Sequence, residues 1–196
     1  KLLSKDNLEK SLKIKFRKKN ILVTFHPETL SKRSISDQIS PLLRCLKQKK
    51  DWGIIITKAN SDPGGEEINI QLKEFAESNS TNTFLFDNLG QLNYFSILKL
   101  ADVMIGNSSS AIIESASFNT PSINIGNRQG GRLKPKNVFD VKNKTTDIMK
   151  ALDNLSKKRD GIKNPYDGGQ TSKKILKVLE EFDLNKILKK NFFDIL

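Results

Sequence analysis

A serine-rich turn within the stretch GNSSSAIIE, Gly106 to Glu114, contains the residue types best suited to holding an anion. The turn follows the apolar run Ala101 to Ile105, which has the length of a strand, and it opens a helical pattern. Backbone N–H groups at the start of a helix bind phosphate, and neighbouring hydroxyls add further hydrogen bonds. We predict that Ser108 and Ser109 bind a phosphate, with helix capping by the serines as the structural alternative.

Glu114 is a carboxylate within an otherwise apolar helical segment, where it needs a polar partner. The two adjacent hydroxyls of a ribose would donate hydrogen bonds to its two oxygens. A capping hydrogen bond or a salt bridge would satisfy the carboxylate equally well. A ribose beside a phosphate would make this stretch half of a nucleotide site.

Two further side chains that follow predicted strands, His26 and Arg128, could act on a phosphate. His26 precedes Pro27, which holds it extended at the end of its strand, and an imidazole that titrates near neutrality can donate to a leaving phosphate. On spacing alone, His26 could instead be structural. Arg128 could clamp a phosphate with paired hydrogen bonds, whereas Arg132 fits a surface loop better.

The elements that must position these residues alternate between strand and helix along the chain. This alternation predicts an α/β fold with a doubly wound, Rossmann-like parallel sheet. Ligands bind at the carboxyl ends of the strands in such sheets, so His26, the loop Asn60 to Gly65 and the serine turn should share one edge. The predicted strands are Ile21 to Phe25, Trp52 to Thr57, Thr83 to Asp87, Ala101 to Ile105, Ser122 to Ile125 and Val138 to Val141.

Amphipathic patterns between the strands predict the helices. Pro41 should either kink the first long helix or mark its true first turn. Ser4 could cap a short helix before the first strand, and Cys45 lies among leucines, which predicts a core position rather than a nucleophile. The predicted helices are Ser34 to Lys50, Glu66 to Asn79, Gln91 to Ala101, Ser109 to Phe118, Thr145 to Lys158 and Gly169 to Phe182.

The net charge of +12 is concentrated away from these candidate residues. Residues 1–50 contain 14 basic against 4 acidic residues, whereas residues 51–150 contain 10 against 11. A nucleic-acid surface more often interleaves basic and aromatic residues on one element, so we expect a solvated lysine-rich surface and no nucleic-acid partner.

Composition also limits the other classes of function. With one cysteine and one histidine, the chain can form no internal disulfide and has too few ligands for a zinc site. A GxGxxG or Walker pattern is missing, so we expect no dinucleotide cofactor. No apolar run approaches the roughly 20 residues that span a bilayer, and no secretory leader is visible, so we expect a cytoplasmic protein without membrane contact.

Five motifs follow one another along the chain. They are TFHPET (Thr24 to Thr29), NSDPGG (Asn60 to Gly65), FDNLGQLNYFSILKLADVMIGNSSSAIIE (Phe86 to Glu114), TPSINIGNRQGGR (Thr120 to Arg132) and NPYDGG (Asn164 to Gly169). In this order and spacing they resemble the C-terminal half of the hydrolysing UDP-N-acetylglucosamine 2-epimerases. The His-Pro-Glu-Thr and Asn-Arg-Gln forms are similar to the hydrolysing branch of that family, and the resemblance covers nearly the whole chain.

The resemblance implies a glycosyltransferase-B-like architecture, in which two Rossmann-type domains enclose the nucleotide and UDP lies mostly on the C-terminal one. It also implies residue roles. Ser108 and Ser109 would meet the phosphates, Glu114 the ribose, and His26 and Arg128 the pyrophosphate. Asn60 and Asp62 would lie in a loop that lines the cleft.

The implied reaction eliminates UDP across C1 and C2 of the sugar and adds water to the resulting glycal. The acid and base carboxylates belong to the N-terminal half, so we expect residues 1–20 to connect from a missing domain. Residues 21–183 would bind the nucleotide, and the tail 184–196 would pack toward the missing half. We expect a UDP-sugar substrate, a homo-oligomer and no cofactor. A related diacetamido sugar, a glycosyltransferase activity and a non-catalytic nucleotide-binding module remain alternatives.

Overall fold

Six short runs of mostly apolar residues form one parallel sheet in the computed structural model, which describes residues 2–155 and 161–183. The strand order is β3-β2-β1-β4-β5-β6, and every neighbouring pair is parallel. This is the order of a doubly wound Rossmann fold, so the predicted fold class is confirmed. The strands are β1 Asn20–Thr24, β2 Gly53–Thr57, β3 Thr83–Phe86, β4 Val103–Gly106, β5 Ser122–Ile125 and β6 Val138–Val141.

Seven α-helices and one 3₁₀ helix occur in the described residues. The chain divides into two compact units between Pro165 and Tyr166, and the last helix belongs to the second unit. No helix in the described part of the chain is long and apolar enough to cross a membrane. The helices are α1 Lys5–Leu12, α2 Ile35–Lys47, α3 Gly65–Ser78, α4 Gly90–Leu100, α5 Ser110–Ile113, the 3₁₀ helix Ser115–Phe118, α6 Thr145–Asp153 and α7 Thr171–Glu181.

Alternating side chains of the strands supply two separate apolar cores. In β1, Ile21 and Val23 pack with residues of α2, α3 and α6, whereas Leu22 packs on the opposite face with residues of α1 and α4. Because both faces are covered, β1, β2 and β4 are buried along their whole length. The sheet is therefore a rigid support for the loops at its ends.

The chain reverses direction along the sheet between β1 and β4. After β1 the chain continues outward through β2 and β3, and it then crosses by α4 to β4 on the other side of β1. The loops that follow β1 and β4 separate at this switch point and leave a crevice between them. His26 follows β1, and the serine turn follows β4.

The helix predicted over Ser109 to Phe118 is shorter than expected. It consists of the four-residue α5 and a 3₁₀ helix, and Glu114 lies between them. The Ser115 hydroxyl donates a hydrogen bond of 2.6 Å to the Ala111 carbonyl and accepts one of 2.7 Å from Asn137. Back-bonding of this kind competes with a regular helix, which gives a physical reason for the interruption.

Pro41 does not begin α2, because the helix starts six residues earlier, at Ile35. Ser34 caps that helix: its hydroxyl accepts a hydrogen bond from the Asp37 N–H at 3.1 Å. A proline leaves the carbonyl four residues before it without its helical donor. The Arg33 guanidinium donates to that carbonyl, on Asp37, at 2.5 Å, which makes an interior proline tolerable here.

Two smaller predictions are confirmed near the start of the chain. The Ser4 hydroxyl accepts from the Asn7 N–H at 3.3 Å and caps α1. Cys45 is fully buried, and burial raises the pKa of its thiol to about 11, so it is a core residue. The boundaries predicted near residues 20 and 183 stay predictions, and the tail 184–196 lies outside the described residues.

Candidate functional site

A cleft with a volume of about 610 Å³ opens at the carboxyl edge of the sheet, beside the switch point. The ends of β1, β2 and β3 and the turn after β4 contribute to its walls. Five of the predicted site residues line it: His26, Asn60, Ser108, Ser109 and Glu114. Residues that are 50 or more positions apart in the chain are therefore brought to one site by the parallel sheet.

His26 is held at its backbone by the side chain of Asn107, which is fully buried. The Asn107 Oδ1 accepts from the His26 N–H at 2.7 Å, and its Nδ2 donates to the His26 carbonyl at 2.8 Å. This pair of bonds continues the pairing between β1 and β4 beyond the ends of the strands. The position of His26 therefore depends on the residue that opens the serine turn.

The imidazole of His26 is held in one tautomer. The Asn60 N–H donates to its Nδ1 at 3.1 Å, so the proton of the neutral ring lies on Nε2. Burial lowers the pKa of His26, the nearby Arg128 guanidinium lowers it further, and the charge of Asp62 opposes this. At neutral pH the ring is therefore a neutral hydrogen-bond donor.

The loop after β2 connects His26 to the other predicted residues. The Asn60 side chain donates to the Asp62 carboxylate at 2.6 Å, and Asp62 lies 3.8 Å from the Arg128 guanidinium. Asp62 does not line the main cleft. It lies with Arg128 on a neighbouring cavity of about 400 Å³.

Arg128 is fixed from both its backbone and its side chain. The Glu28 carboxylate accepts from the backbone N–H groups of Asn127 at 3.2 Å and Arg128 at 3.3 Å. The Arg128 guanidinium donates to the Asn107 carbonyl at 3.4 Å. Glu28 of the TFHPET motif thus ties the loop after β1 to the loop after β5.

The serine turn is only partly used for capping. The Ser108 hydroxyl accepts from the Ser110 N–H at 3.3 Å, which satisfies one backbone donor. Ser109 occupies the N-cap position of α5 but makes no capping hydrogen bond with its side chain. The Ser109 hydroxyl is therefore available to a ligand.

Glu114 is half-buried at the junction after α5 and lines the cleft. Neither a hydrogen bond nor an ion pair reaches its carboxylate from the part of the chain that the structure describes. The salt bridge and the capping bond considered from the sequence are therefore not found among these residues. A carboxylate in this position can accept hydrogen bonds from a bound molecule.

The sequence pattern did not single out several residues of the cleft. Tyr94 of α4 lies in the cleft with Thr24 and Thr57, which end β1 and β2. Lys58 and Asp87 form an ion pair of 2.5 Å at the ends of β2 and β3. The threonines and the ion pair could have been found from the sequence, because they lie at the ends of predicted strands. Tyr94 lies inside a helix, so its position gave no such signal.

The residues that the structure describes contain no group of three His, Cys, Asp or Glu side chains that could hold a metal ion. The cleft is therefore not a metal centre in this part of the chain. Uncharged donors predominate instead, and they come from serine, asparagine, tyrosine and the neutral His26. A set of this kind suits a polar organic ligand that carries phosphate.

The strand order and the position of the cleft define a Rossmann-like domain of the glycosyltransferase-B-like type. The family model for UDP-N-acetylglucosamine 2-epimerase matches residues 2–180, and the chain belongs to that family.

Known proteins support this assignment. The chain is 43% identical to GDP/UDP-N,N'-diacetylbacillosamine 2-epimerase (hydrolyzing) of Campylobacter jejuni, over 98% of this chain and 51% of the relative. It is 33% identical to the UDP-N,N'-diacetylbacillosamine 2-epimerase (hydrolyzing) of Legionella pneumophila, over 86% of this chain and 44% of the relative. The chain therefore spans about half the length of these curated relatives.

The fold is also found in solved structures. A Methanocaldococcus jannaschii UDP-GlcNAc 2-epimerase, solved in complex with UDP-GlcNAc and UDP, superposes with a TM-score of 0.68 at 15% identity. The match covers 89% of this chain and 48% of that one. At this identity the likeness shows the fold alone, and it agrees with the sheet described above.

Proposed function

We propose that this chain is the UDP-binding half of a hydrolysing UDP-sugar 2-epimerase. The observation that carries the proposal is a set of polar groups in the cleft that have no partner among the described residues. They are the Glu114 carboxylate, the Ser109 hydroxyl and the Nε2 of His26. Ribose hydroxyls would satisfy the carboxylate, and phosphate oxygens would satisfy the two donors.

In this proposal the cleft holds the leaving group of the reaction. Ser108 and Ser109 bind the phosphates, and Glu114 binds the ribose. His26 and Arg128 face the pyrophosphate. A hydrogen bond from the His26 Nε2–H group and the charge of the Arg128 guanidinium stabilise the negative charge on departing UDP. Asn60 orients His26, and Asp62 lies beside Arg128.

The proposed reaction has two steps. A base removes the proton at C2 of the sugar, the electron pair of that bond forms the C1=C2 double bond, and the C1–O bond breaks so that UDP leaves. Water then adds across the double bond, with a proton going to the opposite face of C2 and hydroxide to C1. We place the acid and base carboxylates in the half of the protein that the longer relatives possess, so this chain alone should not complete the reaction.

Two sugars remain candidates for the complete protein. The description of the family model favours UDP-N-acetylglucosamine, which would give N-acetylmannosamine for sialic-acid-type synthesis. The names of the Campylobacter and Legionella relatives favour a diacetamido sugar of the bacillosamine type, and they do so equally well. In either case we propose a cytoplasmic homo-oligomer.

Calorimetry with UDP tests the proposal on this chain. We expect saturable binding of UDP, and weaker binding of uridine because it lacks the phosphates. A folded chain, shown by circular dichroism, that gives no heat with millimolar UDP or GDP would contradict the proposal. GDP belongs in the experiment because the printed name of the Campylobacter relative includes it.

Product analysis then separates the activities. A protein that contains this chain together with the preceding half should release UDP and a free 2-epimeric sugar from the correct substrate. Transfer of the sugar to an acceptor would instead indicate a glycosyltransferase. Binding of UDP without any turnover of either UDP-sugar would indicate a non-catalytic module.

A further inference from the structure

Four hydroxyl groups from four different elements lie together in the cleft. Thr57 and Thr24, on β2 and β1, are 2.8 Å apart at their Oγ1 atoms. The Thr24 Oγ1 lies 3.5 Å from the Tyr94 hydroxyl of α4, and the Tyr94 hydroxyl lies 2.8 Å from the Ser110 Oγ of α5. All four residues line the cleft.

The hydrogen bond between Tyr94 and Ser110 has a defined direction. The Tyr94 hydroxyl donates to the Ser110 Oγ, which agrees with the greater acidity of a phenol compared with an alcohol. The Ser110 oxygen is therefore already an acceptor, and its own hydrogen must point elsewhere. Among the described residues, the Ser110 hydroxyl donates to no other group.

The Ser110 side chain has one open direction, the cleft. The residue is 8% exposed, and its backbone N–H is already bonded to the Ser108 Oγ. A hydroxyl that is held as an acceptor on one side is a preoriented donor on the other side. Such a donor suits an anionic oxygen, because hydrogen bonds to charged groups are the stronger ones.

We propose that Ser110 is a phosphate-binding residue and that Tyr94 is the positioning residue that directs the Ser110 hydroxyl toward the phosphate. This inference rests on the proposed function, since it requires a nucleoside diphosphate in the cleft. It does not depend on a helix dipole, because α5 has only four residues.

The test compares Tyr94→Phe, Ser110→Ala and the double variant of this chain by calorimetry with UDP. Tyr94→Phe keeps the ring and removes only the donor. We expect each single variant to weaken UDP binding about 5- to 10-fold, because each disturbs one hydrogen bond to a charged group. The double variant should lose little more than Ser110→Ala, because Tyr94 acts through Ser110.

Two further measurements separate this role from a structural one. Uridine lacks the phosphates, so its affinity should be unchanged by Tyr94→Phe. Ser36→Ala, which removes an exposed serine hydroxyl of α2, should leave UDP binding unchanged. If Tyr94→Phe fails to fold, Ser110→Ala and Ser110→Thr provide the same comparison, since threonine keeps a hydroxyl.

The failures of the two proposals are distinguishable. Unaltered UDP affinity in Tyr94→Phe or in Ser110→Ala, additive losses in the double variant, or an equal loss for uridine would overturn this inference and leave the UDP site intact. A wild-type chain that binds neither UDP nor GDP would overturn the proposed function and this inference with it.

Discussion

In the proposed function, the chemistry of the cleft depends on His26 being neutral and correctly oriented. Its Nδ1 accepts from the Asn60 N–H, and the Asn107 side chain fixes its backbone on both sides. A neutral ring can donate through Nε2 without carrying a charge into a half-buried position. The same surroundings make the ring sensitive to a bound anion, because a nearby negative charge favours the protonated form.

We expect His26 to titrate below the ordinary value of 6.5 in the free chain, because burial and Arg128 lower its pKa. Since the folded pKa lies below the unfolded one, the stability that neutral His26 confers is complete above about pH 6.5. It is lost as the pH falls toward the folded pKa. Bound UDP should raise the pKa, so UDP affinity should increase as the pH falls from 7.5 toward 6.

Nuclear magnetic resonance can follow this titration directly, because the chain contains one histidine. Its nitrogen shifts should show the Nε2–H tautomer. His26→Gln provides the control and should abolish the pH dependence of UDP affinity in this range. A free-chain pKa above 6.5, or an Nδ1–H tautomer, would contradict the geometry.

Glu114 should discriminate between UDP and its 2'-deoxy form if it binds the ribose. Glu114→Ala removes a charged acceptor, so we expect UDP affinity to fall about 10-fold, in line with hydrogen bonds to charged groups. The affinity for dUDP should fall clearly less in the same variant, because dUDP lacks one of the two ribose hydroxyls. Glu66→Ala, which removes an exposed carboxylate of α3, is the control. Equal losses for the two nucleotides would exclude the ribose role.

At the scale of the elements, the end of β4 and its approach to β1 form the site. Gly106 pairs with Thr24 and has a φ of +145°, a conformation that residues with a side chain rarely adopt. A Cβ at Gly106 would overlap the Thr24 carbonyl oxygen. The close approach of the two strands before the cleft therefore requires glycine.

Gly106→Ala should destabilise the protein by at least about 2 kcal/mol, because it combines backbone strain with steric overlap. For a chain of this size, we expect the melting temperature to fall by about 4 to 8 °C. Gly131→Ala is a matched control: Gly131 also has a positive φ, +76°, but no atom lies within 4 Å of a Cβ built there. Gly131→Ala should lower the melting temperature clearly less than Gly106→Ala. Equal decreases for the two variants would show that the overlap with the Thr24 carbonyl has no role.

The elements themselves could be predicted well from the sequence, and the site less completely. Each apolar run produced its strand to within two residues, and the signal is strongest for β1, β2, β4 and β5, which are buried along their whole length. The interruption near Glu114 could not be predicted, since the Ser115 hydroxyl that bonds back to the Ala111 carbonyl is also held by Asn137, which is distant in sequence. For the same reason the dependence of Ser110 on Tyr94 is visible only in the structure.

At the scale of the whole molecule, the chain has its polar cleft at one edge of the sheet and spans about half the length of its relatives. The basic residues Lys18, Lys19 and Lys50 precede β1 and β2, at the edge of the sheet opposite the cleft. These three lysines therefore lie away from the cleft. We expect recognition in the cleft to depend on individual hydrogen bonds more than on a broad positive surface.

The hydrogen bonds of Asn107 also bear on how the cleft can move. Because its side chain joins the loop after β1 and its carbonyl accepts from Arg128, three loops are mechanically linked through one residue. We expect a displacement of any one loop to act on the other two, so the polar groups that line the cleft should keep their spacing. Any large rearrangement should then occur at a hinge outside these loops, with the proposed leaving-group site carried along as a single body.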